Sequence, residues 1–193
     1  MKNGFAKPTD QLKMTAYASL CAALTAVGAL VAIPIGPVPI VLQNFFVFLT
    51  GLFLGSRWGL ASVGIYLIAG ILGFPVFAGG TGGIGRIIGP TGGYLVGYIP
   101  AVFIIGVIVE KRRTSLYLDI VALVSGSLIL YLFGVTWLKI ITGMSAGKAL
   151  AVGMLPFLPG DALKIAAAIA SARVLRRTIG VPSTPQPLTP MTP

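Results

Sequence analysis

Near the end of the chain, in LPGDALK (158–164), Asp161 and Lys164 stand three positions apart and so share one face of a helix that starts at about Pro159. An ionised side chain within a membrane span costs about 2.5–3.5 kcal/mol. Something must offset that: the two pair with each other, Asp161 caps the helix N-terminus, or both meet a ligand. Arg86 is the second candidate, the lone charge in PVFAGGTGGIGRIIGPTGGYLVGY (75–98). Gln43 and Asn44 open another apolar run. Neighbours on a helix point about 100° apart, so only one of them is expected to face inward. Phe77, Tyr94, Tyr98 and Trp137 supply aromatic surface for a pocket wall or for an interfacial belt. The chemistry these groups suit is recognition of a small molecule that bears both a polar ring and an acid.

Other chemistries lack their parts. Histidine is absent, which removes the usual general base and the commonest metal ligand. The single cysteine, Cys21, lies inside an apolar run, has no partner for a disulfide within the chain, and no cysteine cluster offers a metal site. No serine has a visible base beside it, which disfavours a membrane enzyme. Gly80, Gly82 and Gly85 match GxGxxG, yet no βαβ unit surrounds them and no acid follows at the distance a dinucleotide site requires. GMSAGKA (143–149) is one residue short of a phosphate loop and lacks Ser or Thr after Lys148. The net charge of +10 is spread among apolar segments without the clustered face that nucleic acid needs.

The elements that must position these residues are membrane helices. Of the 193 residues 56% are hydrophobic and 9% charged, and the mean hydropathy is +0.97, outside the range of a soluble domain. The pattern predicts an all-α integral membrane protein with six transmembrane helices over 14–33, 38–54, 58–72, 91–109, 115–133 and 159–174. A glycine-rich extracellular loop is expected between the third and fourth. So much bare backbone must lie at the surface, pack on protein or line a watery cavity. Residues 1–13 form a basic cytoplasmic head, 14–178 the membrane domain, and 179–193 a disordered tail too polar to fold. Ala18, Ala22 and Ala26 make a small-residue stripe on the first helix, and Gly51 and Gly55 a GxxxG face on the second. Asp119, one turn into the fifth span, is expected at the interface. With both termini cytoplasmic, ten basic residues (Lys2, Lys7, Lys13, Arg57, Lys111, Arg112, Arg113, Arg173, Arg176, Arg177) fall inside and four (Arg86, Lys139, Lys148, Lys164) outside, as the positive-inside rule asks.

The segments IGPVPIVLQNF, GFPVFAGGTGGIG, GPTGGYLVGY and LPGDALK, in this order and spacing, resemble the BioY family, the biotin-specific substrate-binding subunits of energy-coupling-factor transporters. The likeness spans nearly all of 14–178, and GPTGGYL combined with PGDxxK is far more specific than any single glycine motif. It implies a six-helix protein of the cytoplasmic membrane that captures biotin from outside without a cofactor. Uptake then depends on a transmembrane coupling protein and two cytoplasmic ATPases, and a homo-oligomer is compatible with it. Carried onto this sequence, the vitamin site comprises Gln43, the glycines at Gly79, Gly80, Gly82 and Gly83, Tyr94, Asp161 and Lys164. Ala18, Ala22 and Ala26 match the surface that docks on the coupling protein. Asn44 and Arg86 come from the reading of the residues alone. Biotin fits that reading independently: Lys164 or Arg86 suits its carboxylate, and Asp161, Gln43 or Asn44 its ureido ring. The alternatives are a subunit of the same fold for thiamine or riboflavin, and a helix-packing protein without transport, which would leave Asp161, Lys164 and Arg86 without purpose.

Overall fold

The computed structural model describes residues 8–112 and 115–179. Lys2, Lys7 and Arg113, most of the expected head and the tail from residue 180 on lie outside the described residues. Helix α1 (Pro8–Leu30) leads into a short antiparallel ribbon, β1 (Ala32–Ile33) with β2 (Ile40–Val41), registered Ala32 to Val41 and Ile33 to Ile40. The ribbon, not helix, occupies the residues where the first expected span ends and the second begins. Helix α2 (Gln43–Ile71) follows, then the short α3 (Ile84–Ile88), α4 (Gly92–Glu110), α5 (Leu116–Thr142), α6 (Ala146–Gly153), a 3₁₀ turn (Leu155–Phe157) and α7 (Leu158–Thr178). Helix α4 runs unbroken through Pro100. Helix α5 extends nine residues beyond its expected end, because no residue in TWLKIIT stops a helix; the stop is Gly143, in the left-handed region at φ 67°.

Helix α2 is two antiparallel arms. Gln43 and Tyr66 would stand about 35 Å apart along a straight helix, yet Gln43 Nε2 donates to the Tyr66 hydroxyl at 2.8 Å. The chain turns back at Gly55, whose φ of 83° and ψ of −169° fall in a region nearly closed to other residues. Gly55 is therefore a reversal inside the expected GxxxG face, and both glycines lie against α4: Gly51 packs on Ile105, and a Cβ on Gly106 would sit 2.4 Å from the Gly55 carbonyl carbon. Among the described residues five helical segments are long and apolar enough to cross a membrane, and with α2 counted as two arms they make six passes.

Among the backbone groups that the reversal leaves without helical partners are the Leu52 carbonyl and the Ser56 N–H. Both find charged partners. Glu110, the last residue of α4, accepts from Ser56 N–H at 2.8 Å and from its hydroxyl at 3.0 Å. Arg176, in the last turn of α7, donates to the Leu52 carbonyl at 2.6 Å and, from its other terminal nitrogen, to Asp119 Oδ1 at 3.0 Å. Arg173 also faces Asp119, at 3.5 Å. Asp119 is thus fully buried in an ion cluster rather than at the interface. Gly106 lets α4 come this close, since a Cβ there would sit 2.1 Å from the Ser56 nitrogen.

The core lies where both arms of α2 meet α4, α5 and α7, around Phe48, Leu52, Tyr66, Val102, Ile105 and Leu130. Large apolar side chains such as Leu20, Ile68, Phe103, Leu128, Leu132 and Val174 point outward all around, a surface that suits hydrocarbon and not water. Ala18 and Ala22 are 1% and 4% exposed and pack inward, Ala18 with Phe53 and Leu54 of α2, while Ala26 is half-buried against the core. Ala18 and Ala22 thus let α1 lie close against the first arm of α2.

Candidate functional site

One end of the bundle gathers the β1–β2 ribbon, the segment between α2 and α4, the starts of α2, α4 and α7, and the middle of α5. They enclose a cavity of about 360 Å³. Its walls are mostly apolar and aromatic with a few polar groups, as in small-molecule sites generally. The ribbon contributes Ala32, Pro34, the turn 36–39 and Val41, so the proline-rich segment covers the cavity as much as the glycine loop does. From that loop come Phe77, Ala78 and Gly79, where Gly79 N–H bonds to the Ala29 carbonyl and ties the loop to the end of α1. Helix α3, a structured turn within the expected loop, contributes Arg86. Helix α4 adds Tyr94, Leu95 and Tyr98, α5 adds Tyr131, the 3₁₀ turn before α7 adds Phe157, and α7 adds Lys164.

The polar groups are fixed by named partners. Asn44 Oδ1 accepts from the Tyr98 hydroxyl at 2.7 Å, and the Tyr94 hydroxyl donates to the Gly153 carbonyl at 2.6 Å. Asp161 is 2% exposed and engages both oxygens inside the protein: Oδ1 accepts from Lys164 Nζ at 2.9 Å and Oδ2 from the Tyr131 hydroxyl at 2.5 Å. Arg86 differs from all of these. Its side chain is exposed to the cavity and, among the described residues, has no ion pair or hydrogen bond.

Of the expected site residues the cavity brings together Gln43, Asn44, Gly79, Arg86, Tyr94 and Lys164. Gln43 and Asn44 both line it, contrary to the expectation that only one would. They are the first two residues of α2, and at a helix start a 100° sector of two side chains fits within one cavity wall. Gly82 belongs to a neighbouring cavity that shares Arg86, Pro37 and Thr91, whereas Gly80 and Gly83 line neither. Asp161 stands behind the wall and reaches it through its partners. Trp137 is also outside, its indole N–H bonded to the Gly89 carbonyl at 2.9 Å. The sequence reading overlooked Tyr131 and Phe157. Tyr131 sits mid-span thirty residues before Asp161, and its hydroxyl within an apolar run was the one signal available.

A bundle of apolar helices that keeps such a cavity at one end, with aromatic walls and a cation free to take a charge, is a membrane protein built to hold a small polar molecule. Among such proteins the chain belongs to the BioY family, whose family model matches residues 2–181. It is 45% identical over 166 residues to a probable biotin transporter BioY of Pyrococcus horikoshii, covering 85% of this chain and 96% of that relative. The biotin transporter BioY of Thermotoga maritima is 40% identical, over 83% of this chain and 94% of that relative. The crystal structure of the S-component for biotin from an ECF-type ABC transporter superposes with a TM-score of 0.86 at 31% identity, covering 92% of this chain and 97% of that one.

Proposed function

We propose that this chain binds biotin at the cavity described above and, as the substrate-specific subunit of an ECF-type transporter, serves its uptake across the cytoplasmic membrane. The observation that carries this reading is a built cavity in a BioY-family chain with one uncommitted cation, Arg86, in a largely apolar wall. Biotin offers a carboxylate, an apolar chain and sulfur ring, and a ureido ring. Arg86 takes the carboxylate, because Lys164 is already paired with Asp161 while Arg86 has no partner to give up. Phe77, Leu95 and Phe157 pack on the apolar middle. The ureido ring meets the polar groups of α2, α5 and α7.

The chain acts by binding and transport, as the names of its relatives indicate, and is not an enzyme. It binds biotin as cargo, and no cofactor enters this function. The likeness to the S-component for biotin from an ECF-type ABC transporter supports an ECF module as partner. The split of ten basic residues against four supports cytoplasmic termini, with the glycine-rich segment and the cavity facing outward. A cation at the mouth of an outward cavity also raises the capture rate of an anionic vitamin. In detergent, the purified protein should bind labelled biotin saturably below micromolar concentration, and a linear, unsaturated signal would refute the reading.

A further inference from the structure

Asp161 does not line the cavity, although both of its partners do. Its two oxygens are engaged by Lys164 and by the Tyr131 hydroxyl, which leaves their roles toward a ligand fixed. A tyrosine has one proton to donate. Since that proton is committed to Asp161, the Tyr131 oxygen meets anything in the cavity as an acceptor. An ammonium has three protons and no lone pair, so Lys164, with one proton on Asp161, meets a ligand as a donor. The shared carboxylate therefore sets an acceptor beside a donor. Tyr98 is committed less firmly, because the Asn44 amide that takes its proton can turn over.

We infer that Tyr131 is a specificity-determining residue: its oxygen accepts an N–H of the ureido ring while Lys164 donates to the adjacent ureido carbonyl, with Asp161 the positioning residue that fixes both polarities. A cyclic urea presents that same order along its edge, N–H beside C=O. A site built so rejects an analogue that lacks the matching donor far more strongly than an apolar wall would. The inference rests on the biotin reading and adds to it a residue the sequence did not single out.

The test replaces Tyr131 with 3-fluorotyrosine, which keeps the ring and hydroxyl but makes the oxygen a better donor and a poorer acceptor. Binding of labelled biotin should weaken several-fold while the melting temperature of the ligand-free protein stays put. The substitution Tyr131→Phe should weaken binding further, by about tenfold or more, the effect of one lost hydrogen bond of ordinary strength. Unchanged or tighter binding by the fluorinated protein overturns the inference, since a tyrosine that donates to the ligand would gain from the fluorine. Wild-type protein that binds no biotin overturns both this inference and the substrate reading. Wild-type protein that binds normally beside an unaffected fluorinated one overturns the inference alone.

Discussion

Arg86 and Lys164 both line the cavity, but their circumstances differ, and so do the expected results of removing them. The Arg86 side chain has no partner within the described residues, so Arg86→Gln should leave the melting temperature unchanged. Biotin affinity should fall by about 10- to 100-fold, the range for a charge-assisted hydrogen bond. The methyl ester of biotin, which has no carboxylate, should bind both proteins alike; competition titration of the two ligands decides this. Lys164 is different because Lys164→Met leaves the buried Asp161 carboxylate without its cation. That variant should melt at a lower temperature and weaken biotin and its ester to the same degree, and a loss confined to biotin would move the carboxylate to Lys164. At this scale the sequence was informative where a charge or amide interrupts an apolar run, as at Asn44, Arg86 and Lys164. It was silent on Tyr131 and Phe157, whose contribution depends on which helices meet.

Among the elements, the α2 reversal organises the end of the bundle away from the cavity. Gly55 takes a backbone conformation that costs any other residue about 1–3 kcal/mol, so Gly55→Ala should lower the thermal midpoint without altering biotin affinity at the far end. Arg176→Met should do more harm. It strips the Leu52 carbonyl and buried Asp119 of a shared partner, and breaking a buried ion pair typically costs about 3–5 kcal/mol. Thermal unfolding beside a biotin titration on the folded protein checks both, and a large affinity change would mean that the two ends are coupled. The helices themselves were legible from hydropathy, down to the two arms of α2 on either side of a turn. Asp119, Glu110 and Arg176 were not legible as a cluster, because what joins them is the backbone that the reversal at Gly55 leaves without helical partners. The ribbon that roofs the cavity was not legible, since alternation over two-residue strands is too short to register in a sequence.

For the whole molecule, apolar side chains facing outward on every helix and a cavity at one end define a membrane-embedded receptor for a small solute. The proposed orientation rests on charge counting and is open to direct assay. Cys21 is buried, so a cysteine introduced at exposed Ile84 should react in intact cells with a membrane-impermeant thiol reagent, whereas one introduced at Lys111 should react only after lysis. The opposite pattern would invert the topology. The family was legible because its motifs lie in the segments that wall the cavity, whereas the inward packing of Ala18 and Ala22 was not, because an inward and an outward face of α1 look alike in sequence. The most direct measurement is equilibrium binding of labelled biotin to the purified protein, with unlabelled biotin, thiamine and riboflavin as competitors. Saturable binding below micromolar concentration, displaced by biotin and by neither other vitamin, is the expected result; displacement by thiamine or riboflavin, or no saturable binding, would contradict it.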